Sequence, residues 1–266
     1  MSEGLAPMYR MPVSFGPAPG PRNLPAEQRH RRYEKQTLTL TVSARADGDA
    51  LARMLPPGFA VAQPASIEVS LMVLSDVGWL AGRGYNILIV RIPARWKGQE
   101  EVSGHFVPVL WESMADPILT GREELGWPKI FADIEPSVVD NGAWRARASW
   151  EGFSFFEMSA GDWVEAAAPR APPPMMFHKY LPRTGEWGEA DIDQFTVTGP
   201  DGARPQVKSA MMGQGSFAFH RARWQDMPTQ YAIVNALAAL PLEASGPASL
   251  VETSGGGDAS GQRRLR

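Results

Sequence analysis

The chain has 266 residues, enough to bury a sizeable core without a disulfide or metal staple, and short enough for one large sheet or barrel domain. Its 29 Asp and Glu against 26 Lys and Arg give a formal net charge of -3, so no global basic field is present and a general nucleic-acid binder is excluded. There is no cysteine, which removes disulfides, thiol nucleophiles and thiolate metal sites.

The N-terminus, "MSEGLAPMYRMPVSFGPAPGPRN", is rich in Pro and Gly and lacks the apolar core of a signal peptide. No apolar run approaches the roughly 18 to 20 residues that span a bilayer. These features read as a soluble, cytoplasmic protein with no membrane partner. His30, His105, His178 and His220 are scattered without an HxH, HxxH or HExxH pair, so no metal site is expected.

Residues 1–33 read as an extended arm ending in the basic run "RHRRYEK". "TLTLTVSAR" then alternates with the period of a half-buried strand. In "DGDALARMLPPGF", Asp47 or Asp49 caps a short helix that "PPG" stops. "SIEVSLMVL" and "YNILIVRIP" alternate as well, and "HFVPVLWES" is a strand whose proline predicts an edge or a bulge. Further strands follow in "AWRARASWEGFSFFEM", "QFTVTG" and "GSFAFHRARW", separated by Gly- and Asp-rich turns. The best helix is "PTQYAIVNALAAL", residues 228–240, with Pro228 at its start. Residues 245–266 are Gly- and Ser-rich and read as a flexible tail.

One stretch, "TGREELGWPKIFADI", places Lys129 between Trp127 and Pro128 on one side and Ile130 and Phe131 on the other. Composition alone leaves two readings. Lys129 snorkels, with its stem on apolar surface and its head in water; or it is buried and sheds its proton, because an unpartnered ammonium is expensive away from water. A neutral amine attacks a ketone or 2-oxo acid and forms an imine, an electron sink for decarboxylation or for aldol chemistry.

"GREELGWPK" resembles the active-site segment of acetoacetate decarboxylases, and the likeness continues in order through "DALARMLPPGF", "IEVSLMVL", "PPPMMFHKYLP" and "MMGQGSFAFHRARWQDMP", over residues about 35–240. The resemblance implies an α+β fold: a mostly antiparallel sheet curled into a cone-like β-barrel with a few flanking helices, here residues 34–244. It implies a homo-oligomer. It implies that Lys129 forms the imine with no cofactor, and that Glu68 is an active-site carboxylate.

Three departures stand against that pattern. The family's decarboxylases follow the nucleophile with a second lysine, where this chain has Ile130. The strand "QTLTLTVS" offers no arginine for the substrate carboxylate, and the second active-site glutamate falls in "LAGRGYN", at Gly82 or its neighbours. Some members that keep the lysine resemble this chain and join pyruvate to aldehydes with loss of water. The expected partners are therefore a small keto acid and an aldehyde, with acetoacetate decarboxylation as the alternative and a non-catalytic ligand-binding protein as the rival class.

The condensation needs an acid–base group, and Glu68, Glu124 and Tyr85 are the candidates. Each has a structural reading beside it: Glu68 paired with an arginine across the sheet, Glu123 and Glu124 solvated or paired with Arg122, and Tyr85 on a sheet surface. Trp127, His105 and Trp79 are expected to line the substrate pocket, with core or rim positions as their alternatives.

Overall fold

The structure, a computed structural model, describes residues 7–135, 138–169, 171–200 and 203–266. The Thr/Leu alternation of residues 36–45 forms β1 (Gln36–Arg45). Its Leu40, Val42 and Ala44 enter the main core, and the intervening threonines take the other face. Asp47 caps α1 (Gly48–Ala52), its Oδ1 accepting from the Ala50 N–H at 2.7 Å.

β2 (Phe59–Val61) is followed by the long hairpin partners β3 (Ser66–Val77) and β4 (Arg83–Lys97), and then by β5 (Glu101–Glu112). β4 shows how the sheet sorts its faces. Leu88, Val90 and Ile92 pack into the main core, whereas Ile87 and Ile89 join a second apolar cluster with Leu74, Val77, Leu110 and Phe177. Proline in the predicted strand 105–113 falls at an irregularity: β4–β5 pairing jumps between Val90↔Val109 and Ile92↔Phe106, so Pro108 sits in a bulge of an interior strand.

α2 (Ala115–Thr120) runs into one turn of π-helix (Gly121–Leu125), and Gly126, at φ 79°, ends it in the left-handed region. β6 (Lys129–Phe131), β7 (Asp133–Ile134), β8 (Val138–Asp140), β9 (Ala143–Trp150) and β10 (Phe153–Glu165) follow. β11 (Met175–Pro182), β12 (Ala190–Val197) and β13 (Gln206–Phe219) lead to α3 (Tyr231–Ala238), which lies within the predicted 228–240 helix. β14 (Gly246–Ser254) and β15 (Arg263–Arg264) close the chain.

The strands order as β15-β12-β11-β5-β4-β3-β1-β14-β13-β10-β9-β7, with β2 on β4, β6 on β5 and β8 on β9. Among the described residues all strand pairings are antiparallel except β11–β5 and β5–β6. The expected α+β architecture, a mostly antiparallel sheet with few helices, is thus present. Among the described residues the end strands β15 and β7 do not pair with each other, so the sheet is not closed into a hydrogen-bonded barrel.

The flexible tail expected for residues 245–266 is overturned. β14 lies between β1 and β13 and pairs with both. Its composition misleads because β14 is held by ladders to both neighbours while only Ala248 and Leu250 of it are buried. The arm also differs from its expected extended form. Its described part carries two short 3₁₀ turns and folds back on its own chain. Among the described residues no helix is long and apolar enough to cross a membrane.

Candidate active site

Lys129 opens β6, which lies parallel to β5 with Lys129 opposite Leu110. Its backbone is fixed on both sides. The Lys129 N–H donates to the Trp127 carbonyl at 2.8 Å, and Arg122 Nη1 donates to the Lys129 carbonyl at 2.8 Å. Arg122, expected beside Glu123 or Glu124, is a clamp on the Lys129 backbone instead. From behind, the buried Trp111 donates to Gln230 Oε1 at 2.8 Å, and Gln230 Nε2 donates to the Phe131 carbonyl at 3.1 Å, tying β5 and β6 to the start of α3.

The Lys129 side chain is buried, with 6% exposure. It lines a cavity of about 850 Å³ whose apolar wall includes Met72, Leu74, Trp79, Ile87, Ile89 and Leu110. Residues from β1, β3, β4, β5, β11 and β12 share this one cavity, which is how the curled sheet encloses it. Lys129 Nζ donates to the Pro117 carbonyl at 2.9 Å, lies 4.9 Å from the Trp127 ring centroid, and sits 2.8 Å from Glu112 Oε1.

Glu112 is the residue that sequence reasoning missed. Its carboxylate is fully buried, and Lys129 is its one polar partner among the described residues. Burial pushes the Lys129 ammonium below its ordinary pKa, opposed by the Glu112 charge, and the Arg22 guanidinium lowers it further. Burial likewise pushes the Glu112 carboxyl up, opposed by Lys129. Both charged forms are disfavoured, so the pair lies closer than in water to passing its proton from Nζ to Oε1. Tyr85 also lines the cavity. Burial and then the Glu112 charge raise its hydroxyl far above the usual range, so it stays protonated. It is the residue of "LAGRGYN" that reaches the cavity; Gly82 lies in the exposed turn before β4.

The other expected residues divide. Trp127 and Trp79 line the cavity, Trp127 stacked on Phe177 with centroids 4.9 Å apart and held by its Nε1 donating to Gln262 Oε1 at 2.9 Å. Glu68 and His105 do not line it. Glu68 sits opposite Arg91, four residues before Met72 on the same face of β3, about 13 Å along the strand. Its carboxylate lies 3.5 Å from Arg91 and 3.6 Å from His105, so the across-sheet pairing is the arrangement found. His105 is buried there, and burial holds its pKa below the ordinary value. Glu124 is turned away from Lys129 as well. It accepts from Arg10 Nη1 at 2.9 Å and from Arg22 Nε and Nη2 at 2.9 and 2.5 Å, and so pins the arm to the π-turn.

Two glycines shape this corner. A Cβ on Gly121 would stand 2.3 Å from Lys129 Cε and 2.7 Å from Nζ. A Cβ on Gly126 would stand 2.3 Å from Cβ of Lys179, whose Nζ donates to the Glu123 carbonyl at 2.7 Å and secures the end of the π-turn. Ile130 packs against the main core, so its position brings no second cation to the cavity.

The sequence matches the acetoacetate decarboxylase family over residues 10–252. The chain belongs to that family. No curated protein sequence matches it. Among solved structures, an acetoacetate decarboxylase superposes with a TM-score of 0.68 at 16% identity, covering 88% of this chain and 89% of the other. The enduracididine biosynthesis enzyme MppR, solved with pyruvate, gives 0.67 at 18% identity, covering 88% and 90%. The same enzyme with the condensation product of pyruvate and imidazole 4-carboxaldehyde gives 0.66 at 18%, covering 87% and 88%. An acetoacetate decarboxylase from Legionella pneumophila gives 0.66 at 18%, covering 94% and 92%. At these identities the structural likeness is one of fold.

Proposed function

We propose that this family member is a cofactor-independent lyase that forms an imine between Lys129 and a small keto acid, and that it joins pyruvate to an aldehyde with loss of water. The observation that carries this reading is the buried Lys129 amine, 2.8 Å from the buried Glu112 carboxylate at the wall of a large cavity.

The proton on Nζ passes to Glu112, and the neutral amine attacks the ketone carbon of pyruvate. The carbonyl oxygen takes a proton from the attacking nitrogen. Glu112 returns its own proton to that hydroxyl, which leaves as water and gives the protonated imine. The Glu112 carboxylate then removes a methyl proton, and the electron pair of the C–H bond forms the enamine. The enamine carbon attacks the aldehyde carbon, whose oxygen takes the proton back from Glu112 with the Tyr85 hydroxyl as a further donor. Glu112 removes a second proton from the same carbon and passes it to the new hydroxyl, which leaves as water. Hydrolysis of the imine frees an unsaturated 2-oxo acid and restores the amine.

Condensation fits these residues better than decarboxylation. A group that moves carbon-bound protons stands beside the amine; condensation needs one to form the enamine, whereas decarboxylation forms the enamine by breaking a C–C bond and abstracts no carbon-bound proton. MppR, of like fold, was solved with both pyruvate and an aldehyde condensation product. We assign the protein to the cytoplasm on the same reading. We also read it as a homo-oligomer, since Tyr9, Met11, Val13 and Phe15 of the arm are all exposed.

Borohydride tests the imine. Pyruvate followed by borohydride is expected to leave one reduced adduct on Lys129, and Lys129→Ala to abolish it. No adduct would leave a ligand-binding protein in place of an enzyme. Carbon dioxide released from acetoacetate at enzyme-like rates, with no condensation of pyruvate and an unsaturated aldehyde, would make decarboxylation the reaction.

A further inference from the structure

A keto acid brought to Lys129 carries a carboxylate into a largely apolar cavity, and burying that charge requires a cation with donors to spare. Lys129 and Glu112 already balance each other. β1 offers the neutral Thr37 to the cavity wall. The cations on the wall are therefore the groups to weigh.

Most of them are committed or distant. Arg32 is paired with the buried Asp258 carboxylate and is 26% exposed, Lys35 donates to the Gly257 carbonyl, Arg263 pairs with Glu100, and Arg204 is exposed. Arg91 is held by Ser70 and Glu68, two residues beyond Ile89 along β4, in the direction opposite to Glu112, which faces Ile87. Arg22 differs. It lines the cavity with Lys129 and Tyr85, and its side chain is 7% exposed.

We propose that Arg22, delivered by the N-terminal arm, is the residue that holds the carboxylate of the keto acid, so that the arm is part of the substrate site. This rests on the imine reading above. Two observations carry it. The first is the donor count. A guanidinium has five N–H groups. Nε and Nη2 donate to Glu124 Oε2, and Nη1 donates to the Asp258 carbonyl at 2.5 Å. Those three bonds leave one N–H on each Nη, the pair that grips a carboxylate with two parallel bonds. The second is the charge count. Glu124 is shared by Arg10 and Arg22, so two guanidinium groups face one carboxylate and one positive charge remains uncompensated. The effect of Arg22 on Lys129 and Tyr85, lowering both pKa values, accords with a guanidinium facing the reacting end of the cavity.

The test compares ketones with and without a carboxylate. Borohydride trapping on Lys129 is followed with pyruvate and with acetone, in wild type, Arg22→Gln and Arg22→Lys. Arg22→Gln is expected to raise the pyruvate concentration for half-maximal trapping about 10- to 100-fold, the range for losing a charge-assisted pair of hydrogen bonds, and to leave acetone nearly unchanged. Arg22→Lys, which keeps the charge without the fork, falls between. The pyruvate-to-acetone ratio cancels any change in the basicity of the amine. In the wild type, propionate should compete with acetone for the site, a readout that needs no variant to fold. Equal losses for both ketones, or no competition by propionate, would overturn the assignment while leaving the imine reading intact. No trapping of either ketone by wild type would overturn both.

Discussion

Gly121 and Lys129 are in contact because nothing stands on the Gly121 Cα. A methyl there would take the space of Lys129 Cδ and Cε, and the neighbouring backbone is held by the Trp127 N–H donating to the Gly121 carbonyl at 3.0 Å. Gly121→Ala is therefore expected to push the amine off Glu112 and Pro117. The rate of imine trapping should fall about 100-fold, the scale of a misplacement near 1 Å, and the thermal midpoint should drop as well. A variant that traps pyruvate at the wild-type rate would show that the amine does not occupy this niche. Glu112 gives a prediction with a definite sign. Its negative charge favours the ammonium form of Lys129, so removing it lowers the Lys129 pKa beyond what burial already does. In Glu112→Gln the acid limb of the trapping profile should move to lower pH, while condensation slows by about 10²- to 10⁴-fold for want of a proton-moving group. Parallel pH profiles for trapping and condensation check both parts, and a limb that moves to higher pH would contradict the pairing. At this scale the sequence is partly legible. Lys129 and Trp127 are visible because the motif is local. Glu112 is hidden because alternation along 101–112 gives a face but not the partner strand, and β6 joins β5 in a parallel pairing across a helix. For Glu68 the alternation likewise gives only a face: it shares the cavity-side face of β3 and stands four residues along the strand from Met72.

The elements with strict alternation, β1, β3 and β4, are legible because one face of each packs against the main core and the other turns away from it. β14 is not, and it bears the most. With β14 in place, β1 and β13 are bridged into one sheet; without it, the path breaks into β15-β12-β11-β5-β4-β3-β1 and β13-β10-β9-β7. Each half would then expose an edge of unpaired N–H and C=O groups along β1 or β13. The fit admits little variation, since a Cβ on Gly246 would stand 1.8 Å from the Ser43 carbonyl oxygen. A chain ending at residue 244 is therefore expected to be insoluble or to lack a cooperative melt by circular dichroism. A chain ending at residue 262 keeps Gln262 and its bond to Trp127 but loses β15 and the Arg263–Glu100 pair, whose partners are 51% and 29% exposed, and should melt close to the full chain. A cooperative melt of the 244-residue chain near the full-length midpoint would contradict the bridging role of β14.

Across the whole molecule, the two chain ends meet over the cavity. Arg22 donates to the Asp258 carbonyl, Arg32 pairs with the Asp258 carboxylate, and Lys35 Nζ donates to the Gly257 carbonyl at 3.1 Å. The arm is thus fixed from residue 10 to residue 35 by its own chain, through Glu124 at one end and Asp258 at the other. That anchoring holds the backbone while Tyr9, Met11, Val13 and Phe15 stay 59%, 73%, 54% and 88% exposed. Four large apolar side chains in seven residues are costly in water on a monomer whose arm is docked, and a second copy of the chain is the partner that the proposed homo-oligomer supplies. Burying a side chain of this size contributes about 1.5–3 kcal/mol, or roughly 10- to 100-fold in Kd for each one lost. Val13→Asp with Phe15→Glu removes two such contacts and asks the interface to bury two carboxylates. Light scattering across micromolar concentrations should show the mass per particle falling toward that of a single chain. Imine trapping on Lys129 should persist, because Arg22 is held by Glu124 and Asp258 of the same chain. An unchanged particle mass would mean that the apolar segment of the arm is not where subunits meet, and a particle that dissociates and also loses trapping would mean that the arm is held in place by its neighbour as well as by its own acidic anchors.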